Sequence, residues 1–134
     1  MSYTNIVTSF LQNDSKILLL KRSDRVKSMK GLWAGVSGII ENNEIPIDRA
    51  KIEIWEETGI EEVQVMLLKS VQEMRVRSPQ YKNHEWNIFP FLFQVDNPKI
   101  KLNWENSEYR WIDPAEITNY ETVPSLENIL SNLL

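Results

Sequence analysis

The chain has 134 residues, 42% of them hydrophobic, which is enough for one domain with its own core. The absence of Cys excludes disulfides, thiolate metal sites and a cysteine nucleophile, and the single histidine, His84, excludes a histidine-based metal cluster. A net charge of −4, short apolar runs and a first segment without a signal-peptide pattern predict a cytoplasmic protein that binds neither a nucleic acid polymer nor a membrane.

The first forty residues alternate apolar runs with turn formers. Two apolar runs of strand length, at residues 6–11 and 16–21, are separated by the Asn, Asp and Ser of residues 12–15, which predicts a β-hairpin. The polar residues 23–30 predict a surface loop. Two glycines among apolar residues then predict a strand broken by bends over residues 33–40.

A helix is predicted to begin at Pro46, because the fixed φ and missing N–H of proline suit a first helical turn. Gly59 suits a left-handed C-cap and predicts the end of the helix. The apolar positions between them follow a helical stripe, at Ile47, Ala50, Ile54 and, less strictly, Ile52.

The second half of the chain has several strand-like runs and two further helix signals. Strands are predicted at residues 63–67, 74–76, 86–95, 99–102 and 109–112. Pro90 indicates a bulge or an edge position within its strand. Helices are predicted to start at Asp113 and to occupy residues 124–134. Strands before and after one internal helix predict a single α+β domain over residues 1–134, an αβα sandwich around a mixed β-sheet.

Three carboxylates stand close together in the last turns of the internal helix. Glu53, Glu56 and Glu57 are spaced i, i+3 and i+4, so they project from one side of the helix and repel one another. They also lie where the helix macrodipole disfavours anions. A divalent cation would reverse both penalties, whereas a solvated acidic face is the alternative interpretation.

The spacing around these carboxylates resembles the box of the Nudix hydrolases. Over the 23 residues 38–60 the chain reads G-x5-E-x7-x-E-I-x-E-E-x-G-I. Eight of the nine defined positions agree with the box G-x5-E-x7-R-E-U-x-E-E-x-G-U, in which U is aliphatic. Gly38, Glu44 and Gly59 would have structural roles in this box. The likeness continues outside it, at residues 31–33 and 108–116.

The resemblance implies a hydrolase that cleaves a pyrophosphate bond in a nucleoside diphosphate linked to another group. Mg²⁺ or Mn²⁺ would be held by Glu53, Glu56, Glu57 and the backbone carbonyl of Ser37. The metal would activate a water that attacks phosphorus, and a carboxylate would take the proton of that water. Glu53 and Glu105 are the leading candidates for this general base, and Glu108 and Glu85 are weaker alternatives.

One position departs from the box. Ile52 stands where the box has Arg, a residue that pairs with acidic neighbours and orients them. Arg49 or Lys51 could supply this charge from another position. A catalytically weak, nucleotide-binding sensor is therefore the alternative function. An isoprenoid diphosphate isomerase, another user of this fold, is disfavoured because its known forms rely on a Cys.

Candidate contacts to the substrate lie outside the box. Arg22, Arg75 and Arg77 could contact phosphates, and Trp33 could stack on a nucleobase. An ordinary surface position is expected for His84. Oxidised nucleoside triphosphates, ADP-ribose, dinucleotide polyphosphates and nucleotide sugars all stay open as substrates, and the chain could be a monomer or a homodimer.

Overall fold

A computed structural model of the chain describes residues 2–77 and 82–134. The strands in these residues are β1 (Ser2–Asn13), β2 (Lys16–Arg22), β3 (Trp33–Ala34), β4 (Val36–Ile39), β5 (Met66–Ser70), β6 (Met74–Val76), β7 (His84–Gln94) and β8 (Asn106–Ile112). The α-helices are α1 (Pro46–Thr58) and α2 (Leu126–Leu133), and two 3₁₀ helices span Glu62–Gln64 and Pro114–Asn119. Neither α-helix is long and apolar enough to cross a membrane.

The strands form one mixed sheet in the order β3-β2-β1-β7-β5. Its centre is a long parallel pairing of β1 with β7, in register from Ser2 opposite His84 to Gln12 opposite Gln94. The predicted hairpin of β1 and β2 is confirmed, and its turn uses positive φ at Asp14 and Ser15. β4 pairs with β1, β6 with β7, and β8 with β2, all antiparallel.

The two α-helices cover opposite faces of this sheet. Alternate residues of β1 illustrate this, because Phe10 belongs to the core under α2 and Leu11 to the core under α1. From α1, Ala50 and Ile54 are buried. From α2, the buried side chains are Leu126, Ile129, Leu130 and Leu133. The predicted αβα sandwich around a mixed sheet is therefore confirmed.

The ends of α1 follow the sequence prediction. Pro46 occupies the first helical turn, and Gly59 caps the other end with φ of 78° while its N–H donates to the carbonyl of Trp55. The side chain of Ile52 is 40% exposed, so its assignment to the apolar stripe is wrong. Ile52 lies on the outer surface of the helix, whereas Ala50 and Ile54 on either side of it in the sequence are buried.

One strand prediction is wrong, and a second, over residues 63–67, is right only from Met66, where β5 begins. Residues 99–102 form no strand; they run along the C-terminal end of α1, where the N–H of Lys101 donates to the carbonyl of Thr58 at 2.8 Å. Ile100 and Leu102 still pack on the core, which explains their strand-like pattern. Val63 lies in a 3₁₀ helix and is 89% exposed, because a capping box between Glu61 and Gln64 closes a turn there.

Pro90 lies in the middle of the sheet and not at an edge. It is paired with Thr8 of β1, while on the other side of β7 the pairing of β6 ends at Ile88 and that of β5 begins at Phe91. The residues between β5 and β6 are not in a strand. The proline therefore sits opposite a gap in the neighbouring strands, where it interrupts no pairing with them.

Candidate functional site

A cavity of about 680 Å³ opens beside β4 and α1. Its charged lining comes from the Nudix-like segment, from the loop before β8 and from Arg22 at the end of β2, with Glu53, Glu56 and Glu105 as its main carboxylates. Its apolar lining includes Ile6, Val76, Ile88, Trp86, Val123, Leu126 and Ile129, which belong to the core or pack against it on the α2 side. The cavity thus joins a charged wall to an apolar one, as small-molecule sites commonly do.

Three carboxylates meet in this cavity. Glu53 and Glu56 come from adjacent turns of α1, and Glu105 comes from the loop that precedes β8. One oxygen of each lies within 4.8 Å of the others. Hard oxygen ligands in such an arrangement suit Mg²⁺ or Mn²⁺.

Glu53 is held against the backbone of β4. A Cβ placed on Gly38 would overlap the carboxylate of Glu53, so only glycine leaves room for this side chain. Ser37, whose carbonyl is the predicted backbone ligand, precedes Gly38 and lines the cavity. Burial raises the pKa of Glu53, a hydrogen bond from Arg49 opposes this rise, and the charges of nearby carboxylates add to it.

Glu57 does not line the cavity, and only 3% of its surface is exposed. Its Oε1 accepts a hydrogen bond from Asn106 Nδ2 at 3.1 Å, while its Oε2 is buried without a hydrogen-bond partner. Burial raises the pKa of Glu57 well above 4.5, and the charges of Glu105 and Glu53 raise it further. A buried carboxylate oxygen without a partner, close to the charges of Glu53 and Glu105, fits a site for a divalent cation.

Glu105 is fixed by Asn103. The Asn103 side chain donates to Glu105 Oε1 at 3.2 Å and accepts the backbone N–H of Glu105 at 3.0 Å. The sequence interpretation missed both Asn103 and Asn106. The sequence places one asparagine on each side of Glu105 in a short polar segment. This pattern is too weak to predict a site unless the contacts of the segment with α1 are known.

The charge missing at Ile52 is supplied by Arg49. Its guanidinium donates to both carboxylate oxygens of Glu44, at 2.9 and 2.7 Å, and to Glu53 Oε2 at 3.0 Å. Lys51, the other candidate, instead pairs with Glu62 at 3.3 Å on the far side of the helix. Arg49 thus connects two acidic positions of the box.

The structure brings one of the three candidate phosphate contacts to the cavity. Arg22 lines the cavity and donates from Nε and Nη2 to the carbonyl of Ser28. Arg75 and Arg77 are exposed and do not line it, because the alternation of the strand places Val76 there. Arg77 Nε instead lies 3.3 Å from a carboxylate oxygen of Glu85.

The aromatic lining also differs from the prediction. Trp33 is 8% exposed and packs in the core against Tyr120, with Arg110 over its ring, so the structure does not bring it to the cavity. Trp86 and Trp104 line the cavity instead.

His84, expected to be an ordinary surface residue, is partly buried and also lines the cavity. Its two ring nitrogens lie 2.7 and 2.8 Å from the hydroxyls of Ser2 and Thr4, and its ring packs edge-on against Trp86. These contacts across the parallel pairing of β1 and β7 could not be inferred from a lone histidine in the sequence.

Comparison with known proteins agrees with this geometry. The NUDIX domain model matches residues 3–133. The nucleoside triphosphatase NudI of Escherichia coli O139:H28 is 26% identical over 126 residues, which cover 90% of this chain and 89% of that protein.

Two solved structures share the fold. A MutT protein from Methanosarcina mazei Go1 has a TM-score of 0.77 at 23% identity, over 98% of this chain and 92% of that one. A C. elegans Ap4A hydrolase has a TM-score of 0.74 at 16% identity, over 95% and 93% of the two chains. Because the domain model matches nearly the whole sequence, the chain belongs to the Nudix family of hydrolases.

Proposed function

We propose that the carboxylates around the cavity form the metal centre of this hydrolase and that its substrate is a nucleoside triphosphate. Nudix hydrolases cleave pyrophosphate bonds in nucleoside diphosphate derivatives with the help of divalent metals. The observation that carries the proposal is the group of Glu53, Glu56 and Glu105, whose oxygens lie within 4.8 Å of one another. The nucleoside triphosphatase activity in the name of the bacterial relative supports this substrate class over the other candidates.

The ligands proposed for Mg²⁺ or Mn²⁺ are Glu53, Glu56, Glu57 and the carbonyl of Ser37. Glu105, the third member of the group above, is assigned to proton transfer instead. When bound, the metal neutralises the phosphate oxygens and lowers the pKa of the attacking water. The buried, unpartnered oxygen of Glu57 supports its inclusion, because a cation would give this oxygen a partner. Asn106, which donates to the other oxygen, would keep that carboxylate turned toward the cluster.

Glu105 is the general base in this proposal. The hydrogen bond from Arg49 occupies Oε2 of Glu53 and fixes this carboxylate in place, which suits a metal ligand better than a proton acceptor. Glu105 accepts its side-chain hydrogen bond from the neutral amide of Asn103, at one of its two oxygens. Its other oxygen would take the proton of the water as that water attacks phosphorus.

The cavity lining provides places for both parts of a nucleotide. Arg22 would contact the phosphates that the metal does not neutralise. The nucleoside would lie against the apolar wall, where the rings of Trp86 and His84 offer an aromatic surface. The hydroxyls of Ser2 and Thr4 hold the His84 ring in place there. The volume of about 680 Å³ is within the usual range for such a ligand.

A substrate panel tests the proposal. The purified chain is incubated with nucleoside triphosphates, ADP-ribose, dinucleotide polyphosphates and nucleotide sugars, in Mg²⁺ or in Mn²⁺, and the released phosphates are measured. We expect turnover of triphosphates that Glu105→Gln lowers by about 10²- to 10⁴-fold. Glu108→Gln is the matched control, because Glu108 is exposed on β8 and pairs with Lys21.

The panel distinguishes the hydrolase from the sensor function, and Glu105 from Glu53 as the general base. Tight nucleotide binding without product in either metal would favour the sensor function over the hydrolase. An active Glu105→Gln variant would leave Glu53 as the base. The monomeric or homodimeric state and the cytoplasmic location stay predictions, and size-exclusion chromatography tests the first of them.

A further inference from the structure

Arg49 joins two parts of the Nudix box through one planar group. Its Nε and Nη2 donate to the two oxygens of Glu44, at 2.9 and 2.7 Å, and its Nη1 donates to Glu53 at 3.0 Å. Its side chain is only 15% exposed. A fork of this kind requires an arginine, since the ammonium of lysine has no pair of parallel N–H groups for the two oxygens of Glu44.

The partner of Arg49 is itself anchored. Glu44 Oε1 accepts the backbone N–H of Glu41 at 2.6 Å, so the loop before α1 is tied to the guanidinium. The hydrogen bond from Arg49 lowers the pKa of Glu44, which keeps this anchor charged. The loop, Glu44, Arg49 and Glu53 therefore form a continuous chain of charged hydrogen bonds.

These contacts end at Glu53, whose carboxylate has little room to change its position. Glu53 is 7% exposed, and Gly38 closes the space on its other side. Arg49 holds one of its two oxygens, Oε2, and thereby sets the direction of the other. Removing Arg49 would leave Glu53 confined but without a defined orientation.

The contact of Arg49 with Glu53 differs from the pattern of the box, which has its arginine at position 52. Residues 49 and 52 are i, i+3 neighbours on the helix, so a long side chain at either can reach the same carboxylates. The box carries its arginine at position 52, whereas Ile52 of this chain is 40% exposed and cannot carry charge. We infer that Arg49 is a positioning residue for Glu53 and replaces the arginine of the box from one turn earlier; this inference rests on the function proposed above.

The test compares Arg49→Met and Arg49→Lys with the wild-type chain. We measure kcat and KM for hydrolysis and, separately, Mg²⁺ binding by calorimetry without nucleotide. Arg49→Met should lower kcat roughly 100-fold with KM changed less than about threefold. It should also weaken Mg²⁺ binding by about 10- to 100-fold, and Arg49→Lys should restore little of either.

A matched control and a rescue sharpen the test. Lys51→Met removes a charge from the same helix whose partner, Glu62, lies outside the cavity, and it should leave both measurements unchanged. The double variant Arg49→Met with Ile52→Arg should regain at least about tenfold in kcat over Arg49→Met alone. A purely structural role for Arg49 would not give recovery of kcat from a different position.

Several results would overturn the inference. An Arg49→Met chain with kcat and Mg²⁺ affinity within about threefold of wild type would do so. Should that variant unfold, a folded Arg49→Lys variant with wild-type kcat would do so instead. A double variant no more active than Arg49→Met would refute the exchange of positions. A wild-type chain without turnover contradicts the proposed function, whereas the Mg²⁺ measurements still test Arg49.

Discussion

The substitution Gly38→Ala is the sharpest test of the site, because the added methyl group would displace a single carboxylate, that of Glu53. The Cβ of Gly38→Ala would overlap Cγ, Cδ and Oε2 of Glu53, well inside van der Waals contact. These atoms belong to a side chain and not to the backbone, so the sheet can stay in place while the carboxylate of Glu53 is displaced.

The size of the effect follows from this geometry. Carbon atoms pack at about 3.5–4.0 Å, so the carboxylate of Glu53 must shift by more than about 1 Å. A displacement of that size in a catalytic group costs roughly 100-fold in rate. We therefore expect Gly38→Ala to lower kcat by about this factor while the melting temperature falls by only a few degrees, at about 1 kcal/mol or less.

Steady-state kinetics and thermal unfolding together check this prediction, with Gly35→Ala as the contrast. A Cβ on Gly35 would lie 2.7 Å from the backbone carbonyl oxygen of Ser9, which cannot move without β1. This variant should lose about 1–3 kcal/mol of stability. Wild-type kcat in a folded Gly38→Ala chain would refute the proposed placement of Glu53.

Three further predictions concern stability and metal binding. Because the pKa values of Glu53 and Glu57 are raised above 4.5, the metal-free folded chain binds more protons than the unfolded one above that pH. Its melting temperature should then fall as pH rises from about 4.5 through the raised pKa values. Glu57→Gln should flatten this fall, and an equally steep fall in that variant would contradict the raised pKa of Glu57. Asn106→Ala removes the hydrogen bond to Glu57 Oε1 and should weaken Mg²⁺ binding about tenfold by calorimetry, with unchanged affinity as the contrary result. Ile54→Ala removes a fully buried side chain and should cost about 2–5 kcal/mol in denaturant unfolding, where a loss well below this range would mean that the core beneath α1 relaxes around the gap.

Local patterns predicted the features that depend on neighbours in the chain. The limits of α1 could be predicted from Pro46 and Gly59, because capping and backbone restrictions act over a single turn. The hairpin followed from the turn formers for the same reason. The spacing of the box predicted three carboxylates close together, since helical geometry relates residues three and four apart.

The tertiary structure decided how those carboxylates are used. It buries Glu57 and brings Asn106 to it from 49 positions away, a contact that depends on where β8 begins beside α1. It also selects Arg49 over Lys51 as the partner of Glu53, because the two point to different sides of the helix.

The cavity wall depended on the sheet in the same way. Pairing of β1 with β7 places His84 beside Ser2 and Thr4, which are 82 and 80 residues distant. Trp33 went into the core while Trp86 and Trp104 reached the cavity, a difference that residue type alone could not predict. Residue type and spacing determine which groups a helix can present, but strand register determines which distant groups meet them.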